Sequence, residues 1–136
     1  SLSKSVGDSH QDTLAVQNEL ALVHIEMGQF DRAVELLETN LDKTIAALGK
    51  EDEQSIASMD NLALAYLKVK RIDDAVPLLV EVEERTRGIY GPEHVKTIGK
   101  MLNLAAGYRQ QERFEDAQPL YEKARALSKQ HLGAEH

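Results

Sequence analysis

No cysteine occurs in the 136 residues, which excludes a disulfide framework and any cysteine-ligated metal site. Long apolar runs are missing too: nothing approaches the roughly 18 consecutive apolar residues that a membrane-spanning helix requires. The opening stretch SLSKSVGDSH has no charged segment leading into an apolar one and no cleavage pattern, so no export signal is legible. Basic charge is scarce against acidic: 16 Lys and Arg face 23 Asp and Glu, and the net charge of -7 repels a phosphate backbone. Also lacking are a phosphate-cradling glycine loop, a GxSxG element and a dinucleotide fingerprint. These absences lead to the expectation of a cytoplasmic, non-catalytic protein without cofactor or metal, and without nucleic acid or membrane as partner.

What the chain does contain is a period. GDSHQDT starts at Gly7, GKEDEQS at Gly49, GPEHVKT at Gly91 and GAEH at Gly133, so each glycine lies 42 residues after the one before. The register holds between them: ELALVH from Glu19, NLALAY from Asn61 and NLAAGY from Asn103 share it, as do FDRAVELL from Phe30, IDDAVPLL from Ile72 and FEDAQPLY from Phe114. A fixed interval of this size marks stacked units, each unable to bury its apolar face alone.

Each unit is helical twice over. In the second, Ile56, Met59, Ala63 and Tyr66 recur at three- and four-residue steps, and Ile72, Ala75, Leu79, Val82 and Ile89 do so again, the stripe of an amphipathic helix. Six helices are expected, over about 13–27, 30–47, 55–69, 72–89, 97–111 and 114–131. Gly28 stands where a C-terminal cap requires a left-handed residue, and Asp31, Asp73 and Glu115 place negative charge at the start of each second helix. Pro77 and Pro119 are expected in or near the first turn of their helices, where a missing amide costs little. Ala21, Ala63 and Ala105 share one repeat position and Ala33, Ala75 and Ala117 another, as close helix approach demands. Tyr66, Tyr108, Phe30, Ile72 and Phe114 fill the wider spaces, and His24, where the others have tyrosine, is expected to be a hydrogen-bonded packing residue.

The pattern NLALAY…IDDAVPLL resembles the tetratricopeptide repeat, and the 42-residue period with GPEH between units is similar to the long-loop kind found in kinesin light chains. The resemblance covers about residues 7 to 133 and implies an all-α fold, a right-handed α-solenoid of three antiparallel helix pairs. A single repeat domain over 1–136 is expected, with units 7–48, 49–90 and 91–132. Val6, Leu48, Tyr90 and Leu132 share the position before each glycine, so residues 1–6 read as the end of a preceding unit and 133–136 as the start of a following loop.

Candidate chemistry is thin. His10, Asp52, His94 and His136 recur at one loop position, but successive units of a solenoid advance by about 10 Å, too far for a shared ion bound at about 2 Å. A structural or incidental role is expected. The clusters EDE from Glu51 and EVEE from Glu81 lack the alternating oxygen ligands and turn glycine of a calcium loop and read as solvated faces.

The resemblance implies instead a concave groove lined by the first helices. Carried over residue by residue, its wall comprises Asn18, Leu22, Ile25 and Glu26 in the first unit. In the second it comprises Asp60, Leu64, Leu67 and Lys68, and in the third Leu102, Ala106, Arg109 and Gln110. Asn61 and Asn103 flank it, where such an amide bonds backbone of the repeat or of a bound peptide, with the internal role expected. The asparagines of repeats that clamp a carboxylate terminus are replaced by Leu22, Leu64 and Ala106, so that ligand class is disfavoured. The expected function is a non-catalytic module holding a peptide or partner segment in the groove. The alternative is head-to-tail self-assembly into a homo-oligomer or scaffold: the units carry -6, -3 and +2 in order, an acidic beginning and a basic end.

Overall fold

The computed structural model describes residues 15–135, and among them every regular element is a helix. Helix α1 occupies 15–26, followed by α2 (Phe30–Leu48), α3 (Glu53–Lys68), α4 (Ile72–Tyr90), α5 (Val95–Gln110) and α6 (Phe114–Glu135). The chain divides into two compact units, Ser1–Val69 and Lys70–His136. In the first, α2 packs on α3; in the second, α4 packs on α5 and α5 on α6.

The small positions are buried as the repeat pattern requires. Ala21, Ala33, Ala63, Ala75 and Ala105 are fully buried and Ala117 nearly so. In the second unit the approach is closer still: a Cβ on Gly107 of α5 would stand 3.0 Å from Leu79 Cδ1 and 3.2 Å from Val76 Cγ2 of α4. Larger residues fill the space around them. Met101 and Ile98 of α5 share a core with Ala124 and Leu127 of α6, and the Tyr66 hydroxyl donates to Glu38 Oε2 across α3 and α2 at 2.8 Å. His24 packs half-buried, its Nδ1 2.7 Å from Gln29 Oε1.

Two kinds of turn alternate, and each has a chemical cause. After a first helix the chain turns through a left-handed residue: Gly28 at φ 78°, and at the equivalent positions Lys70 at 68° and Glu112 at 61°. This lets the Gln29 amide reach back to the His24 carbonyl, and the Arg113 amide to that of Tyr108, each at 2.8 Å, satisfying carbonyls that a helix end leaves open. After a second helix the 42-residue glycine takes over, Gly49 at φ 84° and Gly91 at 96°. Six residues on, the Ser55 hydroxyl donates to the Gly49 carbonyl at 2.6 Å, and Thr97 to Gly91 at 2.7 Å. Between these partners lies the N-cap of the next helix. Asp52 Oδ1 accepts the Gln54 amide at 2.8 Å, and His94 Nδ1 accepts the Lys96 amide at 3.0 Å. The motif is thus glycine, cap and hydroxyl at three-residue steps, and it explains why GKEDEQS and GPEHVKT repeat. Its earliest copy, GDSHQDT, lies outside the described residues, as do the expected end of a preceding unit at 1–6, His10 and His136.

Three expectations need correction. The caps start α3 and α5 at Glu53 and Val95, two residues before the apolar pattern suggests, because the cap side chain sets the first turn and not the first core residue. Pro77 is the sixth residue of α4, beyond the first turn; it is tolerated because it lies on the exposed side, where water reaches the carbonyl its ring leaves unpaired. Finally, α6 runs through Gly133 to Glu135, so 133–135 do not open a loop.

Enlarging Ala63 to leucine should lower stability by about 1–3 kcal/mol through overpacking, read as a shift in the urea midpoint; an unchanged midpoint would refute the tight-contact role. Glu112→Gly should raise stability by about 1 kcal/mol, since a side chain in the left-handed region costs of that order, and thermal melting would show it. Asp52→Ala should cost about 0.5–2 kcal/mol, whereas His94→Asp should keep its helix start, because the carboxylate supplies the same acceptor. Melting of the two variants side by side checks the pair.

Candidate functional site

Helix α3 is buried over most of its circumference, ten of its residues lying in the interior. The residues left outside are therefore confined. Gln54, Ala57, Asn61, Leu64 and Lys68 are all exposed, and at about 100° per residue they fall within about 80° of arc. One side chain per turn is left exposed. The strip begins polar, carries the aliphatic Leu64 at 36% exposure and ends on the Lys68 cation.

Helix α5 buries only six residues and offers a wider surface. Leu102 is 41% exposed, Arg109 and Gln110 are exposed, and Asn103 and Ala106 are half-buried. The glycine at 99 is exposed on the same helix, and a Cβ there would meet nothing. On α1, Leu22 is 48% exposed and Glu26 exposed, while Asn18 and Ile25 are half-buried.

Of the groove positions carried over from the repeat, the structure thus leaves Leu22, Glu26, Leu64, Lys68, Leu102, Arg109 and Gln110 open to solvent. It buries two. Asp60 is 8% and Leu67 9% exposed, although their equivalents Leu102 and Arg109 are exposed. The periodicity marks both pairs alike, so the difference is set by tertiary packing of α3. Among the described residues no hydrogen bond joins the Asn61 or Asn103 amide to the backbone, and Asn61 is exposed. The expected internal bond is therefore not made.

Among the described residues no group of three His, Asp or Glu side chains could hold a metal ion, and no helix is long and apolar enough to cross a membrane. His94 is occupied as a cap, with its ring 4.7 Å from that of Tyr90, and the Lys96 ammonium stands 4.5 Å over the same tyrosine ring. His131 of α6 bonds the Glu93 carbonyl. These residues fix the loop between α4 and α5. The caps and the Ser55 and Thr97 hydroxyls are the parts that a reading of apolar periodicity misses; the signal was present in the three-residue spacing of the loop heptads.

The tetratricopeptide repeat family matches the sequence over residues 12–87 and again over 55–130. Among solved structures, the Q17M form of the nearly identical TPR-like repeats of a kinesin-light-chain-type protein from Podosopora anserina is 31% identical. It superposes with a TM-score of 0.83 over 93% of this chain and 60% of that one. A second structure of those repeats is also 31% identical, with a TM-score of 0.81 over 91% and 59%. BtubC (BKLC) from P. vanneervenii shares the fold at a TM-score of 0.77 and 20% identity, over 86% of this chain and 46% of that one. The chain therefore spans about three fifths of the length of the Podosopora structures. No curated protein matches the sequence. With helix pairs repeating at 42 residues, buried alanines at both small positions and a match across the greater part of its length, the chain belongs to the tetratricopeptide repeat family, as an array of the kinesin-light-chain type.

Proposed function

We propose that the chain is a protein-interaction module that holds a peptide or partner segment against the outward strips of its first helices. Tetratricopeptide repeats typically mediate protein–protein interaction and are generally non-catalytic. The observation that carries the finer reading is the α3 strip, where Asn61, Leu64 and Lys68 are exposed while ten other residues of the same helix are buried. Folding uses none of these three. They offer an amide free to bond extended backbone, an aliphatic anchor and a cation at successive turns.

The ligand follows from that order. A segment placing an aliphatic or aromatic side chain on Leu64 and a carboxylate on Lys68 satisfies both, with the Asn61 amide bonding its main chain. On α5, Leu102 and Arg109 repeat the pairing of apolar anchor and cation two turns apart. Because binding energy concentrates in few anchors, each costing about 2 kcal/mol or more when removed, a narrow strip is sufficient. The single domain of three units expected from the repeat would carry one such strip on each first helix.

Partner capture with the intact chain as bait, followed by calorimetric titration of the recovered partner, checks this reading. The double substitution Leu64→Ser with Lys68→Glu should weaken binding by more than about tenfold and leave helical content and melting unchanged, since both residues are exposed. Undiminished binding by that variant would rule out the α3 strip as the working surface.

A further inference from the structure

The caps of α3 and α5 are made by different chemistry, and only one of them depends on a proton. Asp52 accepts the Gln54 amide on a carboxyl oxygen, and a carboxyl group keeps an acceptor oxygen whether or not it is protonated. His94 accepts the Lys96 amide on Nδ1, and an imidazole nitrogen accepts only while it carries no hydrogen. Imidazole is also the side chain whose charge ordinarily changes between about pH 5 and 8. A proton on Nδ1 sets one N–H against another and places a cation at the positive end of the α5 dipole.

The ring can take up that proton where it stands. His94 is exposed, and the Tyr90 ring of α4 beside it attracts a cation as well as it stacks a neutral ring. The Lys96 ammonium already lies over that tyrosine and 3.1 Å from its hydroxyl, so an imidazolium would be the second positive charge there. Arg87, one turn back on α4, is held by Glu83 at 3.2 Å. Glu93 precedes His94 in the connection, and its carbonyl is bonded by Nε2 of His131 on α6. A carbonyl only accepts, so this Nε2 donates, as it also does in a charged ring. Acid therefore preserves the His131 contact and removes the one made by His94.

From this geometry we propose that His94 is a proton-operated cap. In acid the first turn of α5 is released at Lys96, while the Thr97 hydroxyl still closes the connection on Gly91 and α3 keeps its Asp52 cap. One first helix thus has an acid-sensitive start and the other does not, and the device is independent of partner binding.

Nuclear magnetic resonance of the intact chain, titrated from about pH 7.5 to about pH 5, tests this through the His94 ring nitrogens and the Gln54 and Lys96 amides. Exchange is compared with the free-peptide rate at each pH. As the His94 ring gains its proton, Lys96 should lose at least about tenfold in protection, in step with the ring, whereas Gln54 keeps its own. His94→Asp should make Lys96 protection independent of pH over this range. His131→Gln should leave the dependence in place, which separates the two histidines. Lys96 protection that persists beside a charged His94, or that is missing while the ring is neutral, would overturn the proposal. So would a His94 ring still neutral at about pH 5, or a dependence that survives His94→Asp or disappears in His131→Gln.

Discussion

A hydroxyl bonded to a glycine carbonyl six residues earlier underlies the rest of this architecture. Ser55 makes that bond to Gly49 and Thr97 makes it to Gly91. It closes the connection after a second helix around a backbone that only glycine adopts cheaply, at φ 84° and 96°. With the loop closed, the residue midway between the partners stands at the N-cap and its acceptor fixes the first turn of the next helix. Asp52 and His94 both do this, although one is a carboxylate and the other an imidazole with Nδ1 unprotonated. The position selects for an acceptor, not for a charge, and this is why a histidine recurring every other unit is no sign of a metal or a catalyst.

Once the start of a first helix is fixed, so is the face it buries. Alanine and glycine on that face bring backbones close enough for Val76 and Leu79 to touch Gly107, and the opposite arc is left to solvent. The strip on α3 is a residue of that arrangement: Asn61, Leu64 and Lys68 are what remains after packing has taken the other sides. On the proposed reading, binding capacity comes from the face that packing does not use, and no strained backbone or buried charge is needed for it.

Most of the helix boundaries, both sets of alanines and the left-handed Gly28 were legible because they depend on local spacing, which survives in one dimension. Lys70 and Glu112 at the same turn position were not read as left-handed, since neither residue type announces a positive φ. Groove exposure was harder. Asp60 and Leu102 share a repeat position, as do Leu67 and Arg109, yet the first member of each pair is buried and the second exposed. Periodicity assigns a face, whereas burial depends on what lies against that face, and the unit sequence does not contain that information. The caps were missed for another reason: their side chains act on backbone amides two residues away and leave no apolar trace.

The claim on which this account rests is that the glycine, cap and hydroxyl triplet, and not apolar burial alone, sets where each first helix begins. Amide hydrogen exchange at Gln54 and Lys96 tests it most directly, since both amides donate to a cap side chain at the helix start. The account predicts that both exchange at least about tenfold more slowly than in an unstructured peptide and lose that protection in Asp52→Ala and His94→Ala respectively, with the helix interiors still protected. Exchange at the free-peptide rate in the unaltered chain would contradict it.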